Sequence, residues 1–101
     1  AVGDPSNPAA RLLANTPNPF ARSTVIRYEL SSDSPVTIDI FDLAGRSVRR
    51  LESLDAQSAG RHEVAWDGRS DSGAILPAGV YFYRLTAAEF KEARKMLLTR
   101  D

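Results

Sequence analysis

The sequence predicts an all-β fold, an antiparallel β-sandwich of about seven strands. Two observations predict it. Alternating apolar and polar residues recur in short runs, most regularly at 24–30, 36–42 and 79–85. Turn residues separate these runs, and no stretch keeps a helical period of useful length. With 101 residues, 43% of them hydrophobic, the chain has enough apolar mass for one core and one domain.

Residues 1–11 carry Gly3, Pro5, Ser6, Asn7 and Pro8 and read as a linker or leader, with the sandwich expected over 12–101. Ala1 in place of methionine points to a processed or excised piece. Residues 11–14, with Leu12 and Leu13, suit a short edge strand. Pro17 and Pro19 forbid a central ladder, and Phe20 is the apolar plug expected to hold this turn to the core. In 24–30, Ile26, Tyr28 and Leu30 share one face and Val25, Arg27 and Glu29 the other. Residues 31–35 form a polar turn. Val36, Ile38 and Ile40 then point inward, with Thr37, Asp39 and Phe41 outward.

Gly45 closes a hairpin, and 47–51 return with Val48 inward. Residues 54–59 read as a loop with room for one helical turn. Gly60 opens 61–66, where His62, Val64 and Trp66 share a face. Residues 67–73 are a long turn rich in Asp, Ser and Gly, after which Ile75 and Leu76 are expected to fold back as apolar lids. Gly79 opens the central strand. Tyr81, Tyr83 and Leu85 face the core, with Trp66 as main packing partner, and Val80, Phe82 and Arg84 take the wetter side. Residues 87–89 turn into a last strand over 90–99, in which Met96 and Leu98 oppose Lys95 and Leu97.

Thirteen basic residues balance thirteen acidic ones, which argues against a nucleic-acid partner. No apolar run is long enough for membrane insertion as a helix. The absence of cysteine excludes disulfides, thiolate metal sites and a cysteine nucleophile. His62 is the single histidine, and Ser58, Ser70 and Ser72 offer no nucleophile context for it. Asp67 and Asp71 fail the calcium-loop spacing because Arg69 takes a ligand position, so turn capping is the better reading. Asp39 and Asp42 lie three apart on a strand and make no acid–base pair. Arg46, Arg49 and Arg50 read as a solvated face paired with Glu52 and Asp55. No catalytic, cofactor or metal residue is assigned, and the chain is not expected to be an enzyme. Phe41, Val25 and Phe82 face outward; with Leu12, Leu13 and Phe20 they are the candidates for contact with another protein.

Pro17-Asn18-Pro19-Phe20, the alternation Thr24, Ile26, Tyr28, Leu30 and the run from Val36 to Val48 resemble the opening of a known module. Trp66-Asp67-Gly68, Gly73, Leu76-Pro77, Gly79-Val80-Tyr81-Phe82-Tyr83-Arg84-Leu85 and Lys95-Met96-Leu97-Leu98 continue it. The pattern resembles the type A C-terminal sorting domain of bacterial type IX secretion, and equally the Ig-like domain named after the flagellar hook-capping protein. Thr16 departs from it, standing where these families commonly carry an aromatic residue. The resemblance covers about residues 12–100 and makes Trp66, Asp67, Gly68, Gly79, Tyr81 and Tyr83 fold-defining. It implies a non-catalytic Ig-like β-sandwich of a secreted or cell-surface bacterial protein, met by the secretion machinery as a sorting and anchoring domain. The alternative is a self-assembling subunit of an extracellular filament or surface layer, its N-terminal segment contacting copies of itself.

Overall fold

The computed structural model describes residues 9–100 and contains no helix among them. Seven strands follow one another: β1 (Ala10–Leu12), β2 (Thr24–Leu30), β3 (Ser34–Asp42), β4 (Ser47–Gln57), β5 (Gly60–Trp66), β6 (Gly79–Ala87) and β7 (Phe90–Leu98). They form a three-stranded sheet in the order β1-β2-β5 and a four-stranded sheet in the order β4-β3-β6-β7. Every pairing between these strands is antiparallel. This is the seven-stranded sandwich that the alternation implied, with the Ig-like architecture that the resemblance implied.

Alternation along each strand decides what the sandwich encloses, because successive side chains point to opposite faces of a sheet. β2 buries Thr24, Ile26, Tyr28 and Leu30, β3 buries Val36, Ile38 and Ile40, and β6 buries Tyr81, Tyr83, Leu85 and Ala87. Trp66 ends β5 fully enclosed. Its ring meets Tyr81 edge-on at 5.6 Å between centroids and Phe20 at 5.7 Å, a geometry aromatic quadrupoles favour. The indole Nε1 donates to the Arg69 carbonyl at 2.9 Å, so the one polar atom of the ring is satisfied.

The chain between β1 and β2 changes sheets. Thr16 exchanges two backbone hydrogen bonds with Val25 of the three-stranded sheet, at 3.0 and 2.8 Å. Both following X-Pro bonds, Thr16–Pro17 and Asn18–Pro19, are cis. Phe20 then forms a parallel bridge to Leu98 of the other sheet. Its N–H donates to the Leu97 carbonyl at 3.0 Å, and its carbonyl accepts from the Thr99 N–H at 2.8 Å. Buried Asn15 fastens the turn by donating to the Thr24 hydroxyl at 3.0 Å. Tyr83 reaches across from β6: its hydroxyl donates to the Leu13 carbonyl at 2.7 Å and accepts from the Asn15 N–H at 2.9 Å. The anchoring that Thr16 does not supply as an aromatic comes from these polar contacts.

Four expectations change. Residues 54–57 continue β4, with no helical turn, because register shifts at Ser34/Val36, Ile38/Asp39 and Ile40/Phe41 let a long strand pair while breaking its alternation. β3 begins at Ser34, inside the expected turn. The boundary at residue 12 falls within β1, where Ala10 is already buried against the core. The rest of the expected leader, residues 1–8, lies outside the described residues. Ile75 is 62% exposed and covers nothing, whereas Leu76 does pack on the core.

Gly68 sits where a side chain does not fit. Its φ is +75°, and an added Cβ would come within 2.9 Å of Arg100 Nη2. Arg100 is held there by donating to the Gly68 carbonyl at 2.7 Å and the Leu76 carbonyl at 2.8 Å. Gly45, at φ +86°, has no atom within 4 Å of the same added Cβ. Gly45→Ala should therefore cost only the left-handed penalty, about 1–2 kcal/mol. Gly68→Ala should cost that and the displaced arginine. Urea unfolding of the two variants checks this; equal losses would mean that Arg100 simply swings aside.

Candidate protein-interaction face

The structure separates the six contact candidates into three groups. Leu12 and Phe20 are each 2% exposed, so they belong to the core and present nothing to a partner; the correction follows from β1 and the sheet-switching turn folding onto the sandwich. Leu13 is half-buried beside them, its carbonyl taken by Tyr83. Val25 lies on the outside of the three-stranded sheet, opposite Ala65. Phe41 and Phe82 oppose each other directly on the outside of the four-stranded sheet, both half-buried. Only this last pair is brought together.

The Phe41–Phe82 pair belongs to a larger patch. One row further along, Val80 of β6 opposes Leu97 of β7, which is 40% exposed. Leu43, 71% exposed at the β3–β4 turn, stands beyond β3. Sequence reasoning placed Leu97 opposite Met96 and Leu98, which its exposure bears out, but named neither it nor Leu43 as a contact residue. Leu43 was not legible, because a turn has no period to read.

The next row is charged. Arg84 lies between Asp39 of β3 and Ala93 of β7. Its guanidinium stands 4.7 Å over the centroid of Phe41, a cation–π contact that ties the charged row to the apolar one. The Arg84 Nε is buried without a hydrogen-bond partner among the described residues. Asp39, 3% exposed, accepts from Arg50 Nε at 2.8 Å and Nη2 at 3.5 Å. That hydrogen bond and charge raise the Arg50 pKa further above its ordinary value. Burying a charge is costly unless it is paired and hydrogen-bonded, and Arg50 supplies both.

Among the described residues, Arg46, Arg49 and Arg50 do not pair with Glu52 and Asp55 as expected. Arg46 bonds Asp42 at 3.0 Å, Arg49 meets Asp67 at 3.5 Å and Asp71 at 3.8 Å, and Arg50 takes Asp39. Those carboxylates come from a hairpin, a distant loop and a neighbouring strand, none of them adjacent in sequence. The Arg46 N–H, foremost, holds the Asp42 carboxyl below its ordinary pKa, with the Arg46 side chain and the Ala44 N–H assisting. Asp67 does cap its own turn, accepting from the Arg69 N–H at 3.1 Å. Asp71 instead accepts from the Arg50 N–H at 3.0 Å and secures the loop to the edge of β4.

His62 has a structural setting. Its Nε2 lies 2.7 Å from the Ser58 carbonyl, its Nδ1 lies 2.9 Å from Gln57 Nε2, and its ring packs 5.4 Å from Tyr28. Both nitrogens are occupied. The shallow groove alongside is walled by Arg27, Glu29, Arg61 and Glu63, which neutralise one another as Arg27–Glu63 at 3.3 Å and Arg61–Glu29 at 3.4 Å. Among the described residues, no three His, Cys, Asp or Glu side chains gather where they could hold a metal ion.

Fold and surface together define an Ig-like β-sandwich module whose distinctive surface is one sheet face, apolar in one half and charged, with a basic excess, in the other. The chain belongs to the FlgD Ig-like domain family, whose pattern it matches over residues 18–90. It is 42% identical over 53 residues to the basal-body rod modification protein FlgD of Salmonella typhimurium, and equally to that of Salmonella typhi. The match covers 52% of this chain and 22% of the length of those relatives. Among solved structures, the chain is similar to part of dimeric latent PorU from Porphyromonas gingivalis, with a TM-score of 0.72 and 25% identity over 91% of this chain and 9% of that one. FlgD from P. aeruginosa shares the fold, with a TM-score of 0.60 and 23% identity over 90% of this chain and 68% of that one. So does PorZ of Porphyromonas gingivalis, a surface component of the type IX secretion system, with a TM-score of 0.61 and 21% identity over 86% of this chain and 11% of that one.

Proposed function

We propose that this chain is a non-catalytic protein-binding module of an exported bacterial protein, acting as its C-terminal sorting and anchoring domain in type IX secretion. The observation that carries this reading is the near full-length match of fold and order to a domain of PorU, spanning 91% of the chain. The run from Pro17 to Leu98, which resembles sorting domains in its motifs, supports it, as does the fold shared with PorZ. The partner is a protein, met at the cell surface or on the way to it, and no nucleic acid takes part. Phe41 and Phe82 are the contact residues of the six candidates that share one accessible face.

The test is export. A folded fluorescent reporter carrying a signal peptide is fused ahead of residues 1–101 and expressed in a type IX-competent host and in the same host with the system deleted. The expected result is reporter outside the outer membrane in the first strain and periplasmic reporter in the second. Periplasmic retention in both would overturn the sorting reading.

A further inference from the structure

The basic half of the four-stranded sheet's outer face has an arrangement that the sorting reading does not by itself specify. Lys91 and Lys95 stand two residues to either side of Ala93, which opposes Arg84. All three cations therefore share one face, the lysines diagonal to the arginine at about 7–8 Å between backbones, within reach of one acceptor group. Among the described residues, no carboxylate lies within 4 Å of any of them, although eight ion pairs occur elsewhere. Lys91, Ala93 and Lys95 are exposed, and the small Ala93 leaves the space beside the guanidinium open. The two terminal nitrogens of Arg84 have no acceptor among the described residues, and the guanidinium carbon lies 4.7 Å over the centroid of the Phe41 ring. The chain as a whole is neutral, so this is a local field produced by placement and not by composition.

We propose that Lys91, Arg84 and Lys95 form a carboxylate-binding site for an acidic, strand-like segment of a partner protein. The proposal rests on the domain being a protein-binding module and names the chemistry that this face selects. The apolar pair of Phe41 and Phe82 lies one step along the strands from Arg84, in the row that Lys95 completes, and Val80 and Leu97 form the row beyond. Same-face residues of a strand repeat at about 6.6–7 Å. A partner must therefore present apolar groups and carboxylates at that spacing on a firm backbone, as residues i and i+2 of an extended segment do. A guanidinium donates two parallel N–H bonds to one carboxylate, and the flanking ammonium groups add charge beside it. A mobile lipid headgroup supplies anionic charge but no such fixed interval.

The probe is a synthetic acetylated and amidated octapeptide, Leu-Thr-Leu-Thr-Glu-Thr-Glu-Thr, titrated into the isotope-labelled full chain by NMR. The control peptide carries glutamine at both glutamates. The glutamate peptide is expected to shift the amides of Val80, Phe82, Arg84, Ala93, Lys95 and Leu97, and to bind about fivefold more tightly than the control, from two surface-type ion pairs. That preference should shrink in high salt and fall clearly, to what Arg84 alone supplies, in a Lys91→Gln, Lys95→Gln double variant, whose exposed substitutions leave the melting curve unchanged. Equal affinity for the two peptides, shifts confined to another face, or no shifts would overturn the proposal. So would sedimentation with phosphatidylglycerol vesicles, and not phosphatidylcholine ones, in the absence of peptide binding. A reporter that fails to be exported would remove the sorting role and leave this result standing.

Discussion

Replacing Trp66 by alanine is expected to leave the domain at the margin of folding. The ring is completely enclosed and joins three separate pieces of chain: the end of β5, Phe20 of the sheet-switching turn and Tyr81 at the start of β6. Truncation removes the largest apolar surface in the core and leaves a cavity walled by rings that cannot rotate into it. Losses of about 3–5 kcal/mol follow from such substitutions. A domain of this size has only about 5–15 kcal/mol in total. At about 4–8 °C per kcal/mol, the melting temperature should fall by at least about 12 °C. Calorimetry reads the shift directly. Trp66→Phe, which keeps a ring against Phe20 and Tyr81, should recover most of it. A loss below about 1 kcal/mol for the alanine variant would mean that those two rings close the gap, contrary to this account.

Tyr83→Phe removes a single oxygen and should still destabilise by about 2–6 kcal/mol, because two groups lose their partner at once and each costs about 1–3 kcal/mol. The hydroxyl both donates to the Leu13 carbonyl and accepts from the Asn15 N–H, and the latter bond is buried. Phenylalanine fills the same space, so no cavity confuses the result. The loss should also be local. Hydrogen exchange at the Asn15 amide should quicken far more than at amides in the middle of β6. Tyr81→Phe is the comparison: its hydroxyl donates once, to the Pro77 carbonyl at 2.7 Å, and leaves one acceptor unpaired at the surface-facing end of the sandwich. It should cost clearly less. Equal costs would mean that the Leu13–Asn15 turn finds other partners.

The strands that build the core were legible because their signal is purely local. β2, β3 and β6 alternate strictly, and a period of two follows from backbone geometry alone. Trp66 and Tyr81 could be named as packing partners from aromatic character and position. β4 was only half legible. Its bulges shift the register, so the residues after Leu51 lose alternation while the ladder continues to Gln57. The ion pairs were not legible at all. Arg49 finds Asp67 and Asp71 because a loop some twenty residues away folds back along the edge of β4, and no spacing rule encodes that. The candidate face was legible in part. Phe41 and Phe82 could each be assigned to an outward position, but their direct opposition depends on the register of β3 against β6. Leu12, in an expected edge strand, and Phe20, expected to plug its turn onto the core, were also named for contact, and burial leaves both of them to the core. The turn that covers them exists only once the chain has crossed between sheets.

That crossing also decides how the domain would carry a load. Segment 18–20 runs parallel to the end of β7, so a pull arriving from its N-terminal side and a pull leaving through residue 100 act at opposite ends of one pairing. The Phe20–Leu97 and Thr99–Phe20 bonds, the Thr99 hydroxyl on the Phe20 carbonyl at 3.2 Å and the Asn18 carboxamide on the Leu97 N–H at 3.0 Å all lie across that direction. Tension reaching this pairing would have to slide the two segments past each other and strain these bonds together, where an antiparallel hairpin tugged at its open end would surrender them singly. The core residues of the four-stranded sheet sit behind this clasp. Force transmitted along the chain would meet the clasp before it could reach Trp66.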